Sequence, residues 1–313
     1  MSSDILVYSG GRYPSLRHSA GAEVIKVMFA VTQKPARSLL IGLFLTIFGA
    51  AFTVMPSRPA SAQTLPLPAH VVLVLEENHA YSQIIGSPEA PYINSLAAEG
   101  ASFTKSYAIT HPSQPNYLAL FSGSTQGVTS DSCPHTFSAA NLGSELIAAG
   151  KTFTGYSEGL PSAGSEVCTS GEYARKHVPW TDFSNVPAID NQPFSSFPTN
   201  FADLPTISWV IPDLLDDMHD GTIQQADSWL ESNLAGYLAW AQTNNSLLIV
   251  TWDEDDDTNV NQIPTIFVGP MVKAGKYSEK INHYNVLRTL EAIYRLPYAG
   301  HSASVKTITD VWQ

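Results

Sequence analysis

Apolar positions along the chain follow two alternating patterns. Runs of four to six mostly apolar residues occur at VVLVL (71–75), TISWVI (206–211), LLIVTW (247–252) and TIFV (265–268). Such runs mark strands covered on both faces. Between them, apolar residues recur at three- and four-residue intervals. In IQQADSWLESNLAGYLAWAQ (223–242) the stripe comprises Ala226, Trp229, Leu230, Leu234, Tyr237, Leu238 and Ala241, and YNVLRTLEAIYRL (284–296) behaves alike. PYINSLAAEG (91–100) opens on Pro91 and closes on Gly100, and NLGSELIAAG (141–150) closes the same way. Strands alternating with helices predict an α/β fold: a mainly parallel sheet sandwiched by helices. Residues 155–205, rich in Pro, Ser, Asn and Gly, carry no clear period and are expected to form a cap-like insertion over a site.

The N-terminal fifth has a different character. SLLIGLFLTIFGAAFTVM (38–55) carries no charge, follows Lys34 and Arg37, and precedes Ala60-Ser61-Ala62. Basic, apolar and small-residue segments in that order predict a signal peptide cleaved after Ala62. The alternative, a membrane anchor of 18 residues, is disfavoured by the cleavage-like ending. Residues 1–27 are long and partly acidic for a leader, which suggests a translation start at Met28. Residues 63–313 then form one domain, secreted or periplasmic, with no stable membrane anchor expected.

The first 62 residues hold six of the 16 basic and two of the 28 acidic residues, so the rest carries 10 and 26, a formal charge of −16. That balance argues against binding nucleic acid through a basic surface. Cys133 and Cys168, an even count in an exported chain, predict one disulfide. Without C-x-x-C spacing, neither a redox nor a zinc role is indicated.

In open α/β sheets, ligands bind beyond the carboxyl ends of the strands. The run at 71–75 ends in Glu76-Glu77-Asn78. The run at 206–211 leads to Asp213, Asp216, Asp217, His219 and Asp220, and the run at 247–252 into Asp253 to Asp257. Taken singly, these could be a solvated acidic loop, a structural calcium site or helix-capping turns. Delivered to one edge, they would repel one another unless a cation sat among them. In THPSQPNYLALFSGSTQG (110–127), Ser113 lies just before an expected helix from Asn116 to Ser122. A helix N-terminus suits phosphate oxygens, although an ordinary N-cap serine fits equally.

The E-N-H after the first strand, HPSQPNYLALFSG, PDLLDDMHDG, WDED and NHYNVLRTLEAIYRLP occur in this order. Together they resemble the phosphoesterase family of bacterial acid phosphatases and phosphatidylcholine-type phospholipases C, within the alkaline phosphatase superfamily. SQPNYLALFSG is also similar to the T-F-P-N-H-x-x-L-x-x-G nucleophile segment of nucleotide pyrophosphatases. The resemblance implies Ser113 as nucleophile and Asn116 as a phosphate contact. It implies Glu77, Asn78, Asp253, Glu254 and Ser113 as metal ligands, leaving Glu76 a supporting acid. KHVPW (176–180) matches a K-H-x-P pattern, which makes His177 a phosphate-contact candidate. His219 and His283 fall at active-site histidine positions, and His111 matches its motif without a defined role. PDLLDD has Asp213 and Asp216 where relatives often carry Asn, so either Asp213 or Asp217 is a candidate to face the site at a second metal position.

The implied activity is that of a metal-dependent phosphomonoesterase that hydrolyses small phosphoesters through a phosphoserine. Its oxygen-rich ligand set favours calcium, magnesium or manganese, and histidine ligation would favour zinc. The alternatives are a phospholipase C-type phosphodiesterase and a non-catalytic exported metal-binding protein.

Overall fold

The structure, a computed structural model, describes residues 65–258 and 260–313. The leader, its cleavage after Ala62 and the proposed start at Met28 lie outside the described residues. Among the described residues, no helix is long and apolar enough to cross a membrane.

Eight strands form the central sheet. Across it run β12 (Gly275–Tyr277), β2 (Ala101–Phe103), β11 (Thr265–Val268), β9 (Leu247–Trp252), β1 (Val71–Glu76), β8 (Ile207–Ile211), β4 (Phe153–Ser157) and β7 (Asn191–Pro193). All four apolar runs become strands. β1 pairs in parallel with both β8 and β9, β4 in parallel with β8 and β7, and β11 runs antiparallel to β9 and β2. The sheet is therefore mainly parallel, with a reversed strand toward one side. Smaller sheets join β10 (Gln262–Ile263), β3 (Ser106–Tyr107) and β13 (Ile281–Asn282), and β5 (Thr169–Ser170) with β6 (Tyr173–Ala174).

Side-chain alternation in β1 divides the core between the two faces. Val71, Leu73 and Leu75 pack on one face with α3 (Ser113–Ser122), α4 (Leu142–Ala148) and α6 (His283–Tyr294). Val72 and Val74 pack on the other with α2 (Pro91–Glu99) and α5 (Ile223–Ala241). Each of these fully buried side chains contributes on the order of 1.5 to 3 kcal/mol. The strip α1 (Tyr81–Ile84) lies between β1 and α2.

Residues 155–205 are irregular, as their composition suggests, and contain five short 3₁₀ turns. They are not set apart from the sheet, however, because β7 and the end of β4 lie within this stretch. The disulfide between Cys133 and Cys168 is present and ties the loop after α3 to β5.

Candidate active site

Because β1, β8 and β9 are parallel neighbours, their carboxyl ends open onto one edge, and main-chain bonds lace those ends together. Glu77 N donates to Asp217 O at 2.8 Å, and Asp253 N donates to Glu76 O at 3.0 Å. Asn78 has φ of 51°, a left-handed conformation that asparagine tolerates, and its N–H donates to Asp253 Oδ1 at 3.3 Å.

α3 begins at Ser113 itself, three residues earlier than the sequence suggests. Pro115 is no obstacle there, since the first amides of a helix have no partner within it. Every residue of α3 is buried, so Ser113 is held rigidly in the first turn. Its hydroxyl donates to Glu77 Oε2 at 3.0 Å and lies 3.2 Å from Glu254 Oε1. Asn116, one turn on, donates to the carbonyls of Thr110 and Pro112 and to Glu254 Oε2 at 3.3 Å, bracing the loop that leads to Ser113.

The expected ligands Glu77, Asn78, Ser113, Asp253 and Glu254 thus meet, and their three carboxylates, like that of neighbouring Asp217, prefer protons. Burial, then Glu77 and Glu254, pushes the Asp253 carboxyl well above the usual range. Burial also raises Glu77, opposed by His177, and lifts Glu254 to about 7 and Asp217 to about 8. One oxygen of Asp253 is buried without a hydrogen-bond partner. The outer atom of the Asn78 amide stands 3.3 Å from Glu77 Oε2 and 3.2 Å from Glu254 Oε1. An amide nitrogen there would bridge the two carboxylates, whereas the oxygen there leaves only acceptors facing one another. Converging, under-neutralised oxygens fit a hard divalent cation.

On the other side of Glu77, ligand atoms of Glu77, His177 and His219 lie within 4.8 Å of one another, a mixed donor set. His177 is buried between Glu77 Oε1 at 3.1 Å and Asp217 Oδ2 at 3.4 Å. Burial lowers its pKa to about 4 against the pull of Glu77, so the ring is neutral. His219 is partly exposed, with Nδ1 2.8 Å from Asp220 Oδ1.

The remaining candidates separate. Asp217 faces the site, while Asp213 turns aside: its carboxylate accepts from Leu215 N and Asp216 N, and it clusters with Glu158 and Asp216. His283 is sealed, its Nε2 donating to Asp253 O at 2.6 Å, and burial lowers its pKa to about 4. It braces the Asp253 main chain. His111 brings Nδ1 to 2.7 Å from Glu254 Oε2 and Nε2 to 3.2 Å from Thr258 O. Both partners are acceptors, so either the ring carries two protons or Glu254 carries one.

Sequence reasoning missed three residues. Tyr117 donates to Glu77 Oε1 at 2.6 Å and stacks on His177 at 4.9 Å between ring centres. Its position four residues after Ser113, on the same helix face, was an available signal. Asp131 accepts from Gln114 N at 3.0 Å, and Lys176 bonds both Asp131 and His219. Asp131 shows no sequence pattern, and Lys176 opens the K-H-x-P match, which drew attention only to His177.

Comparison with known proteins shows which family the chain is similar to. The model of the phosphoesterase family matches residues 87–297. A phosphatidylinositol-3-phosphatase of Mycobacterium tuberculosis is 56% identical over 261 residues, covering 82% of this chain and 87% of that protein. A probable acid phosphatase of Kluyveromyces lactis is 29% identical over 264 residues, covering 76% of this chain and 61% of that protein. An acid phosphatase of Penicillium chrysogenum is 30% identical, with 55% of its length spanned, so the chain matches little more than half the length of these fungal relatives. Among solved structures, an alkaline phosphatase superfamily protein from Vibrio parahaemolyticus aligns with a TM-score of 0.54 at 14% identity, covering 79% of this chain and 72% of that one.

Proposed function

We propose, from the premise that the chain belongs to the phosphoesterase family and is a phosphoric ester hydrolase, that it is an exported, metal-dependent phosphomonoesterase acting through a phosphoserine. The observation that carries this reading is the Ser113 hydroxyl, fixed in the first turn of a buried helix against Glu77 and Glu254.

Glu77, Asn78, Ser113, Asp253 and Glu254 would hold the cation. When bound, it would lower the pKa of the Ser113 hydroxyl and offset phosphoryl charge. Ser113 Oγ attacks phosphorus in line while its proton passes toward Glu77 or Glu254, and the bond to the alcohol oxygen breaks. His177 is the proposed contact for phosphoryl oxygens, while Asn116, expected as a second contact, is fully buried with its amide spent on the loop before Ser113 and supports that loop instead. His219 is the proposed donor to the leaving oxygen, since His283 is sealed. At rest its Nε2 accepts from Lys176, so His219 first takes a proton from solvent at Nε2 as that lysine N–H turns away, and Asp220 at Nδ1 steadies the resulting imidazolium. Water then attacks the phosphoserine, releasing inorganic phosphate and restoring Ser113.

Export is supported by the disulfide, a bond that persists in oxidising compartments. The likeness to a phosphatidylinositol-3-phosphatase favours monoesters over the diesters of a phospholipase C, and includes monoesters carried on lipid headgroups.

Ser113→Ala should abolish turnover of p-nitrophenyl phosphate while metal content, measured by mass spectrometry, stays at the wild-type level. Retained turnover would overturn the assignment. Chelation should silence the wild type, and added divalent cation should restore it.

A further inference from the structure

Lys176 is the middle residue of a 3₁₀ turn, Arg175–His177, immediately before His177. Its Nζ donates to Asp131 Oδ2 at 3.0 Å and stands 3.1 Å from His219 Nε2. An ammonium has three N–H groups and no lone pair, so His219 must accept at Nε2 and carry its proton on Nδ1, toward Asp220. Two of the three N–H groups are then used. Among the described residues, the third has no hydrogen-bond partner.

The position of that third N–H is constrained from two sides. The other oxygen of Asp131 accepts from Gln114 N, the amide next to Ser113, so one carboxylate links the Lys176 ammonium to the start of the nucleophile helix. His219, on the opposite side, lies 5.7 Å from His177 between ring centres, and His177 touches Glu77. The ammonium stands between the start of α3 and the histidine pair, at the rim of a cluster whose other charges are mostly carboxylates. Burial works against its charge, but Asp131, Glu77 and Asp253 outweigh burial and raise its pKa. Lys176 is therefore a cation throughout the range in which a phosphatase works. Its neighbour Arg175 is not available for this role, because its guanidinium is spent on Glu166 O, Thr181 and Asp182.

We infer that Lys176 offers its third N–H to a non-bridging phosphoryl oxygen of the substrate and so sets a preference for dianionic phosphate monoesters over monoanionic diesters. This rests on the phosphoserine reading of the same site. Once ionised to hold a divalent cation, the cluster's three carboxylates, Glu77, Asp253 and Glu254, leave it with one net negative charge, which disfavours a dianion more than a monoanion. A cation fixed at its rim, tied to both the nucleophile helix and His219, reverses that bias where the extra charge of a monoester lies.

The ion pair with Asp131 is partly exposed on both sides, 19% and 29%, and a pair in that setting contributes little to folding. Lys176→Gln is therefore expected to fold with an unchanged Tm. It should raise KM for p-nitrophenyl phosphate, and the inhibition constant of inorganic phosphate, by about tenfold or more, the usual loss for a charge-assisted hydrogen bond. Discrimination against bis-p-nitrophenyl phosphate should fall by a similar factor, and Lys176→Arg should regain much of it. Unchanged KM and phosphate inhibition in Lys176→Gln would overturn the inference. So would monoester and diester turnover falling equally along with a lowered Tm, which is the signature of a structural role. The phosphoserine reading fails separately, through turnover retained in Ser113→Ala.

Discussion

Tyr117→Phe tests the site through a residue that no motif singles out. The substitution removes one oxygen and keeps the ring stacked on His177. The lost bond is short, 2.6 Å, fully buried and directed at Glu77 Oε1. The other Glu77 oxygen already takes the Ser113 hydroxyl, so Glu77 depends on Tyr117 to fix its plane. Hydrogen bonds to a charged group contribute about 1.5 to 3 kcal/mol, and without Tyr117 the buried Oε1 keeps only the His177 ring, 3.1 Å away, beside it. If that whole contribution is felt at the nucleophile, kcat/KM falls about 10- to 150-fold, since about 1.4 kcal/mol is a factor of ten. Stability should fall too, by about 1 to 3 kcal/mol, which for a domain of this size lowers Tm by several degrees. The assay is kcat/KM for p-nitrophenyl phosphate at saturating divalent cation, with thermal unfolding followed by circular dichroism. Activity within twofold of wild type would refute the claim that Tyr117 orients Glu77, whatever happened to Tm.

Other substitutions probe the surroundings. Glu77→Ala should cost metal content and activity together. Glu76→Gln should leave activity within about twofold, because burial, with Asp217 adding to it, raises that carboxyl's pKa toward the neutral form that an amide mimics; a large loss on metal analysis would contradict this. Cys133→Ser with Cys168→Ser should lower stability in denaturant by about 3 to 4 kcal/mol, as expected for opening a loop of this length. An unchanged unfolding midpoint would show that the bridge constrains little. Glu145 is pushed from the usual 4.5 to about 8, by burial first and then by Glu291. The unfolded chain therefore releases this proton well before the folded one does, and stability is full below about pH 4.5 and lost as pH rises toward 8. Glu145→Gln should equal wild type near pH 4.5 and exceed it by on the order of 2 kcal/mol at pH 8, and a difference that stays flat across that range would count against the assignment.

What was legible in the sequence was whatever depends on local pattern or on a general rule of sheets. β1, β8, β9 and β11 are visible as apolar runs, and the carboxyl-end rule alone collects Glu77, Asp217, Asp253 and Glu254 on one edge. β4 was not visible, because FTGYS breaks its apolar run with Thr154, Gly155 and Ser157. The glycine has a long-range cause. A Cβ at Gly155 would stand 2.0 Å from the Trp180 ring, so a partner 25 residues away dictates the residue that spoils the strand pattern. The choice between Asp213 and Asp217 was hidden for a similar reason. Both lie in one turn after β8, and only the amides of Leu215 and Asp216, bonding the Asp213 carboxylate, turn that residue away from Ser113. Lys176 and His219, 43 residues apart, have no common period at all. The acids could be found because a strand end concentrates them. The cation that offsets them stands on an irregular turn, where spacing carries no information and only the folded contacts reveal the pairing.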